Sequence, residues 1–256
     1  MYIQRTIENL LPGILATFPC LAVTGPRQSG KSTLLRHALP EYSYVTLDDP
    51  VALAQAHSDP VYFLDSLGDR CIIDEIQLAP GILSYVKMRV DEDRSRNGRF
   101  IFTGSQQFGM IRNLGDSLAG RIALLDLLPF AALEMQQARA TTGGMELYAT
   151  ACLTGAYPQL ATTEGIDSRL WYSSYIQTYL ERDIRALFDI GSLREFHRFM
   201  QLLAVRCSQM LNMSSFAADL GVSVPTVKRW LSLLEAGRII YLLPPYFNNL
   251  GKRITK

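Results

Sequence analysis

Positions 25–32 read Gly-Pro-Arg-Gln-Ser-Gly-Lys-Ser and follow directly on the apolar run Cys20–Thr24. This is the G-x-x-x-x-G-K-[ST] spacing of a phosphate-binding loop. Its glycines let the backbone curl so that successive N–H groups face inward, and the helix that follows presents its positive end to the same point. Lys31 would reach the β- and γ-phosphates of a nucleotide, and the Ser32 hydroxyl would bind Mg²⁺. The nucleotide-binding candidates are therefore Gly25, Pro26, Arg27, Gln28, Ser29, Gly30, Lys31 and Ser32, with Thr33 next in the helix. The alternative is a plain glycine-rich turn between a strand and a helix.

Around this loop, apolar runs alternate with helical patterns, the βαβ rhythm of a parallel sheet covered by helices. Cys20–Thr24, Tyr44–Leu47, Cys71–Ile73, Phe100–Thr103 and Ile122–Leu125 are predicted strands, and 32–39 and 82–94 are predicted helices. After Pro129 the pattern turns helical, over 131–140, 170–188 and 196–211. The fold class expected is α/β: a P-loop NTPase core of parallel sheet flanked by helices, followed by a smaller helical and winged-helix region. The boundary falls near 130–165, giving a core at 1–135, a helical region at 136–205 and a winged-helix-like region at 206–256.

Further candidates sit at predicted strand ends. Cys71-Ile72-Ile73 runs into Asp74 and Glu75. Downstream of a phosphate loop, Asp74 would hold the metal, while Glu75 would orient or deprotonate an attacking water. Two acids favour hydrolysis over transfer to another acceptor. Thr103 or Ser105 would touch the γ-phosphate or that water, unless Thr103-Gly104-Ser105 is only a turn. Arg121 would stabilise transition-state charge in its own or a neighbouring subunit, which implies a homo-oligomer in the second case, or else is a solvated strand start. Asp48-Asp49 before Pro50 is either a base for an acceptor hydroxyl or an Asx turn. Within 213–243, Ser214–Leu220, Gly221 and Val224–Leu234 have helix-turn-helix spacing, with Ser223 placed to cap the second helix and Pro225 in its first turn. Ile239–Leu243 would be a wing strand. Thr226, Lys228 and Arg229 would then face DNA, or would be a solvated face of a packing module.

Charge alone does not choose a partner. The whole chain carries +1, with 13 basic against 17 acidic residues through position 164 and 12 against 7 beyond it. With 48% hydrophobic and 19% charged residues the chain buries a substantial core, which excludes disorder as its main state. No apolar run approaches the length of a membrane span, and the first residues lack a signal-peptide pattern, so no membrane partner and a cytoplasmic location are expected. Cys20, Cys71, Cys152 and Cys207 include no Cys-x-x-Cys pair and are expected to be reduced core residues.

Taken in order, Gly25–Ser32, Cys71–Gln77, Thr103–Ser105, Ser117–Ile122 and Tyr179-Leu180-Glu181-Arg182-Asp183-Ile184 resemble the AAA-type ATPases of prokaryotes that carry a DUF4143 C-terminal region. The resemblance spans almost the whole chain. It implies an additional-strand, conserved-glutamate core that uses ATP and Mg²⁺, with Lys31 and Ser32 on the nucleotide and Asp74 and Glu75 on metal and water. Ser105 would be a sensor-like residue, and Arg121 a finger or sensor. Family members continue past the segment matching Asn249–Arg253 into a further domain, whereas this chain stops at Lys256. Either the protein is short or that domain is missing. The leading hypothesis is thus a Mg²⁺-dependent ATPase. An ATP-gated DNA-binding or interaction module with little turnover is the alternative, and a small-molecule kinase the third.

Overall fold

The structure, a computed structural model, describes residues 2–104, 118–139, 144–180, 193–244 and 246. It divides into two compact units, 1–188 and 189–256.

In the first unit, β1 (Cys20–Thr24), β2 (Ser43–Thr46), β3 (Cys71–Asp74), β4 (Phe100–Gly104) and β5 (Ile122–Asp126) form one sheet in the order β2-β3-β4-β1-β5. Every neighbouring pair is parallel. The continuous apolar runs follow from this, because a parallel sheet is covered on both faces. Alternate residues serve opposite faces: Cys20, Ala22, Ile73, Phe100 and Phe102 pack in one core cluster, and Leu21, Val23, Ile72, Ile101 and Leu125 in the other. The first cluster is roofed by residues of α3 (Pro50–Ser58), α4 (Pro60–Leu67) and α5 (Ile82–Glu92), and the second by α1 (Leu11–Thr17) and α2 (Lys31–Ala38).

Helices α1, α3 and α4 are absent from the expected set. Both α3 and α4 begin at an Asp-Pro pair: Asp49 accepts from Val51 N–H at 2.9 Å, and Asp59 accepts from Tyr62 N–H at 3.0 Å. Asp49 is thus a helix cap, which is the Asx-turn alternative for that pair.

The segment after β5 stays with the sheet. Helices Ala132–Arg139, Met145–Thr154, Pro158–Thr162 and Ser168–Tyr175 follow, the last running into a π turn at Ile176–Leu180. Ile3, Phe130, Met135, Leu147 and Ala161 form a shared cluster, so the very start of the chain packs against these helices. These helices therefore belong to the same compact unit as the sheet. Of the Tyr179–Ile184 motif, residues 181–184 lie outside the described residues, as do Ser105 and Ser117.

The second unit contains helices Leu193–Val205, Met213–Leu220 and Val224–Ala236, centred on Phe196, Phe199, Phe216 and Trp230. The helix-turn-helix spacing is realised: Gly221 takes φ 69° at the end of one helix, and Ser223 caps the next, accepting from Thr226 N–H at 3.3 Å. The wing strand is not. Ile239–Leu243 carries a β-like composition but has no strand to pair with among the described residues, and it runs as irregular chain. Among the described residues, no helix is long and apolar enough to cross a membrane.

The cysteine expectation holds for half of the set. Cys20 and Cys71 are buried on β1 and β3, where burial pushes both thiols up to about 12, whereas Cys152 and Cys207 are exposed. Ellman's reagent should therefore titrate two thiols in the native protein and all four cysteines after unfolding. Four rapid native thiols would mean that the β1–β3 core opens readily.

Candidate functional site

The loop between β1 and α2 is shaped by backbone geometry that few residues tolerate. Gly25 has φ 141°, and a Cβ there would lie 2.2 Å from the Leu127 carbonyl oxygen. That carbonyl sits close because Leu127 N–H bonds the Thr24 carbonyl at 2.8 Å, extending the β1–β5 pairing past its last register pair. Gln28 (φ 62°) and Gly30 (φ 92°) complete the curl, and Gly30 is the N-cap of α2. Arg27 lies within the curl and Thr33 on the exposed side of the first turn of α2.

Lys31 is buried, its Nζ donating to the carbonyls of Gly25 at 3.0 Å and Pro26 at 2.9 Å. An ammonium is thereby held inside the loop at the positive end of α2. The Ser32 hydroxyl donates to Asp74 Oδ2 at 2.8 Å. Asp74, at the end of β3, is itself buried, and also accepts from Tyr44 Oη at 2.6 Å and from Thr103 Oγ1. The register explains this: Ile73 pairs with Phe102 and Thr46 with Asp74, so the polar ends of β2, β3 and β4 lie side by side over the start of α2. Burial, the hydrogen bond to Asp74 and its negative charge together raise the Tyr44 phenol well above the usual range, so it stays a donor.

Glu75 follows in the left-handed conformation, φ 58° and ψ 43°, a strained setting for a side chain larger than glycine's. Its N–H donates to Thr103 Oγ1 at 3.3 Å, and its Oε2 accepts from the Gln77 amide. The turn redirects Glu75 away from the strand while leaving its carboxylate partly exposed.

Lys31, Ser32, Asp74 and Thr103 thus share one site with the loop, and Glu75 borders it. Arg121 does not join them. It precedes β5, at the opposite end of the sheet from Asp126, about 16 Å of strand away, and its guanidinium forks Asp91 with contacts of 2.9 and 3.0 Å. That pairing holds Asp91 below the usual carboxylate range and fixes the arginine at the base of α5. The expectation of Arg121 acting on a nucleotide of its own chain is corrected accordingly.

Two residues escaped the motifs. Tyr44 carries no local signal beyond its place in β2. Arg5 lies far upstream in sequence, yet its buried guanidinium donates to Ser29 O at 2.8 Å, to Leu128 O at 2.6 Å and to Pro129 O at 3.3 Å, and it pairs with Glu134 Oε2 at 3.0 Å. Glu134 also accepts from Thr6 N–H at 2.6 Å and Ala131 N–H at 2.8 Å.

Residues 17–136 match the family model described as "AAA domain", which supports a P-loop AAA-type ATPase. Residues 145–256 match a domain of unknown function, DUF8612, where the motif order implied DUF4143. The uncharacterized proteins Rv2008c of Mycobacterium tuberculosis and Mb2031c of Mycobacterium bovis are each 29% identical over 253 residues, covering 98% of this chain and 55% of theirs. The chain therefore spans about half the length of these curated relatives. Among solved structures, the Walker-type ATPase PABY2304 of Pyrococcus abyssi aligns at 16% identity over 92% of this chain and 89% of its own, TM-score 0.48. The RuvB Holliday junction branch migration motor of Thermotoga maritima aligns at 14% over 91% and 87%, TM-score 0.44.

The Glu134 carboxyl carries a pH dependence of stability. Burial alone would raise it, but the Thr6 and Ala131 amides and Arg5 outweigh burial and hold it below its ordinary value of 4.5. A carboxyl depressed by folding stabilises above its unfolded pKa, and that contribution is lost as pH falls through the folded value. Glu134→Gln should therefore cost about 3 kcal/mol near neutral pH, and the gap to wild type should narrow in urea titrations below about pH 4.5. A gap constant into acid would show that the carboxyl is not depressed.

Proposed function

We propose that the chain is a Mg²⁺-dependent ATPase of the AAA kind, acting in the cytoplasm. The observation that supports it is the Ser32–Asp74 contact beneath the curled loop, a hydroxyl and a carboxylate of the kind that a phosphate-bound cation takes as ligands. These ligands suit the ion: Mg²⁺ takes hard oxygen donors, is held by one or two carboxylates, and completes its shell with phosphate and water. No cluster of three His, Cys, Asp or Glu occurs among the described residues, and such a site does not require one. When bound, the ion neutralises charge on the β- and γ-phosphates.

The protein groups supply the rest. Backbone N–H groups of 27–33 at the α2 terminus bind the phosphate oxygens, and Lys31 exchanges its loop carbonyls for the terminal phosphates. Glu75 accepts a proton from water as the water oxygen bonds to the γ-phosphorus and the bond to the β–γ bridging oxygen breaks, leaving ADP and phosphate. Gln77 holds one oxygen of Glu75, which orients the other. Thr103 anchors Asp74 and the Glu75 backbone, so the metal and water groups move as one piece.

Phosphate release with ATP and Mg²⁺ tests this. Lys31→Ala should lose nucleotide binding, whereas Glu75→Gln should bind ATP about as tightly as wild type and turn it over about a hundredfold more slowly or less. A folded wild type that releases no phosphate rejects the enzyme, and a Glu75→Gln protein that no longer binds ATP rejects the role given to Glu75.

The second reading is an ATP-gated DNA-binding module. It is favoured by the formed helix-turn-helix, whose second helix buries Val227 and Trp230 and leaves Lys228 and Arg229 exposed. Binding to duplex DNA that falls steeply with salt and responds to ATP would support it, and no binding at low salt removes it.

A further inference from the structure

We propose that Arg5 is a positioning residue of the nucleotide site, setting the phosphate loop through Ser29 and tying it through Glu134 to the Ala132–Arg139 helix. The inference rests on the ATP-binding reading above and adds a residue that lies outside every motif of that site.

Arg5 is 4% exposed and Ser29 is fully buried. Among the described residues the Ser29 hydroxyl has no hydrogen-bond partner, and Ser29 is held through its main chain, by its N–H to the Pro26 carbonyl at 3.3 Å and by its carbonyl to Arg5 Nη1 at 2.8 Å. The neighbouring Gly30 is equally close to this group: a Cβ on it would lie 3.7 Å from Arg5 Nη1. A buried guanidinium needs every donor directed at an acceptor, and here the acceptors come from three places. Nη1 serves the loop, Nη2 the chain leaving β5 at Leu128 and Pro129, and Nε the Glu134 carboxylate. Arg5 also lies over the Phe130 ring, 4.9 Å from its centroid.

The planar fork makes this joint rigid. Any movement of the Ser29 carbonyl turns the guanidinium against Leu128 and Glu134 together. Glu134 passes the movement on, because its oxygens hold the Thr6 and Ala131 amides at the start of the helix. The loop and the helical segment are therefore coupled through one side chain.

Arg5→Lys separates positioning from folding. Lysine keeps the charge that pairs with Glu134, but as a point charge it cannot serve Ser29, Leu128 and Glu134 at once. The expected result is a still cooperative urea transition at a lowered midpoint, hydrogen exchange of the 27–33 amides without nucleotide that is faster than the global loss of stability accounts for, and ATP affinity reduced about tenfold, near the worth of one buried hydrogen bond. If Arg5→Lys fails to fold, Arg5→Met with Glu134→Leu removes both charges and is read in the same way. Loop exchange and affinity unchanged in a folded variant overturn the proposal. Wild-type protein that binds no ATP overturns the nucleotide reading instead, while the exchange measurement still decides whether Arg5 sets the loop.

Discussion

A carboxylate cannot be buried at the end of a strand without donors, and Asp74 obtains them from hydroxyls on three other elements. Ser32 comes from α2, Tyr44 from β2 and Thr103 from β4. Each bond offsets part of the same desolvation cost, so the three are interdependent: loss of one donor weakens the setting of the others. The consequence is mechanical. Three strands and the first turn of a helix are pinned to one side chain, and the loop that joins β1 to α2 has to close over whatever that arrangement leaves.

A second constraint acts from the other side of β1. Because the β1–β5 pairing continues into the Leu127–Thr24 bond, the Leu127 carbonyl occupies the space where residue 25 would carry a Cβ. Glycine at 25 is thus demanded by sheet pairing as much as by phosphate chemistry. The same exit from β5 supplies the Leu128 and Pro129 carbonyls to Arg5. One stretch of backbone therefore limits the loop by close approach at Gly25 and steadies it, through Arg5, at Ser29.

How much of this was legible in the sequence depends on the range of each signal. The five strands were, because buried parallel strands are short apolar runs bounded by turns, and the strand bounds agree within a residue or so. The loop was legible because its spacing is dictated by local backbone geometry. Helices α3 and α4 were harder: their alanine-rich or mixed faces lack a clean apolar stripe, although Asp49-Pro50 and Asp59-Pro60 are capping signals that could have marked them. The Arg5–Glu134 pair spans most of the first unit, and no periodicity links residues that far apart. For a role within its own chain, Arg121 shows the reverse. An arginine beside a glycine before a strand invites a catalytic role, yet the parallel direction of β5 puts every residue before it at the far end of the sheet from the loop. Ile239–Leu243 has the composition of a strand, but composition supplies no partner, and an unpaired strand satisfies none of its backbone groups.

Among the described residues of the site, positive φ outside glycine occurs at two places, and their positions are informative. Gln28 and Glu75 both hold positive φ, one inside the curl and the other where β3 gives way to a turn. Such conformations cost about 1–3 kcal/mol each and persist only where surrounding contacts over-determine them. For Gln28 those contacts are the curl itself, closed by the Ser29–Pro26 turn and the start of α2. For Glu75 they are the Thr103 hydroxyl on its N–H and the Gln77 amide on its carboxylate. Thr103 also donates to Asp74, so one buried hydroxyl holds the carboxylate beneath the loop and the backbone that aims the next carboxylate outward. Two adjacent acids are thereby given different environments, one buried among hydroxyls and one partly open to water. In the ATPase proposed above, that division is what would let a single Asp-Glu pair serve a cation and a reacting water at once, and it is set by a one-residue turn at the end of a strand.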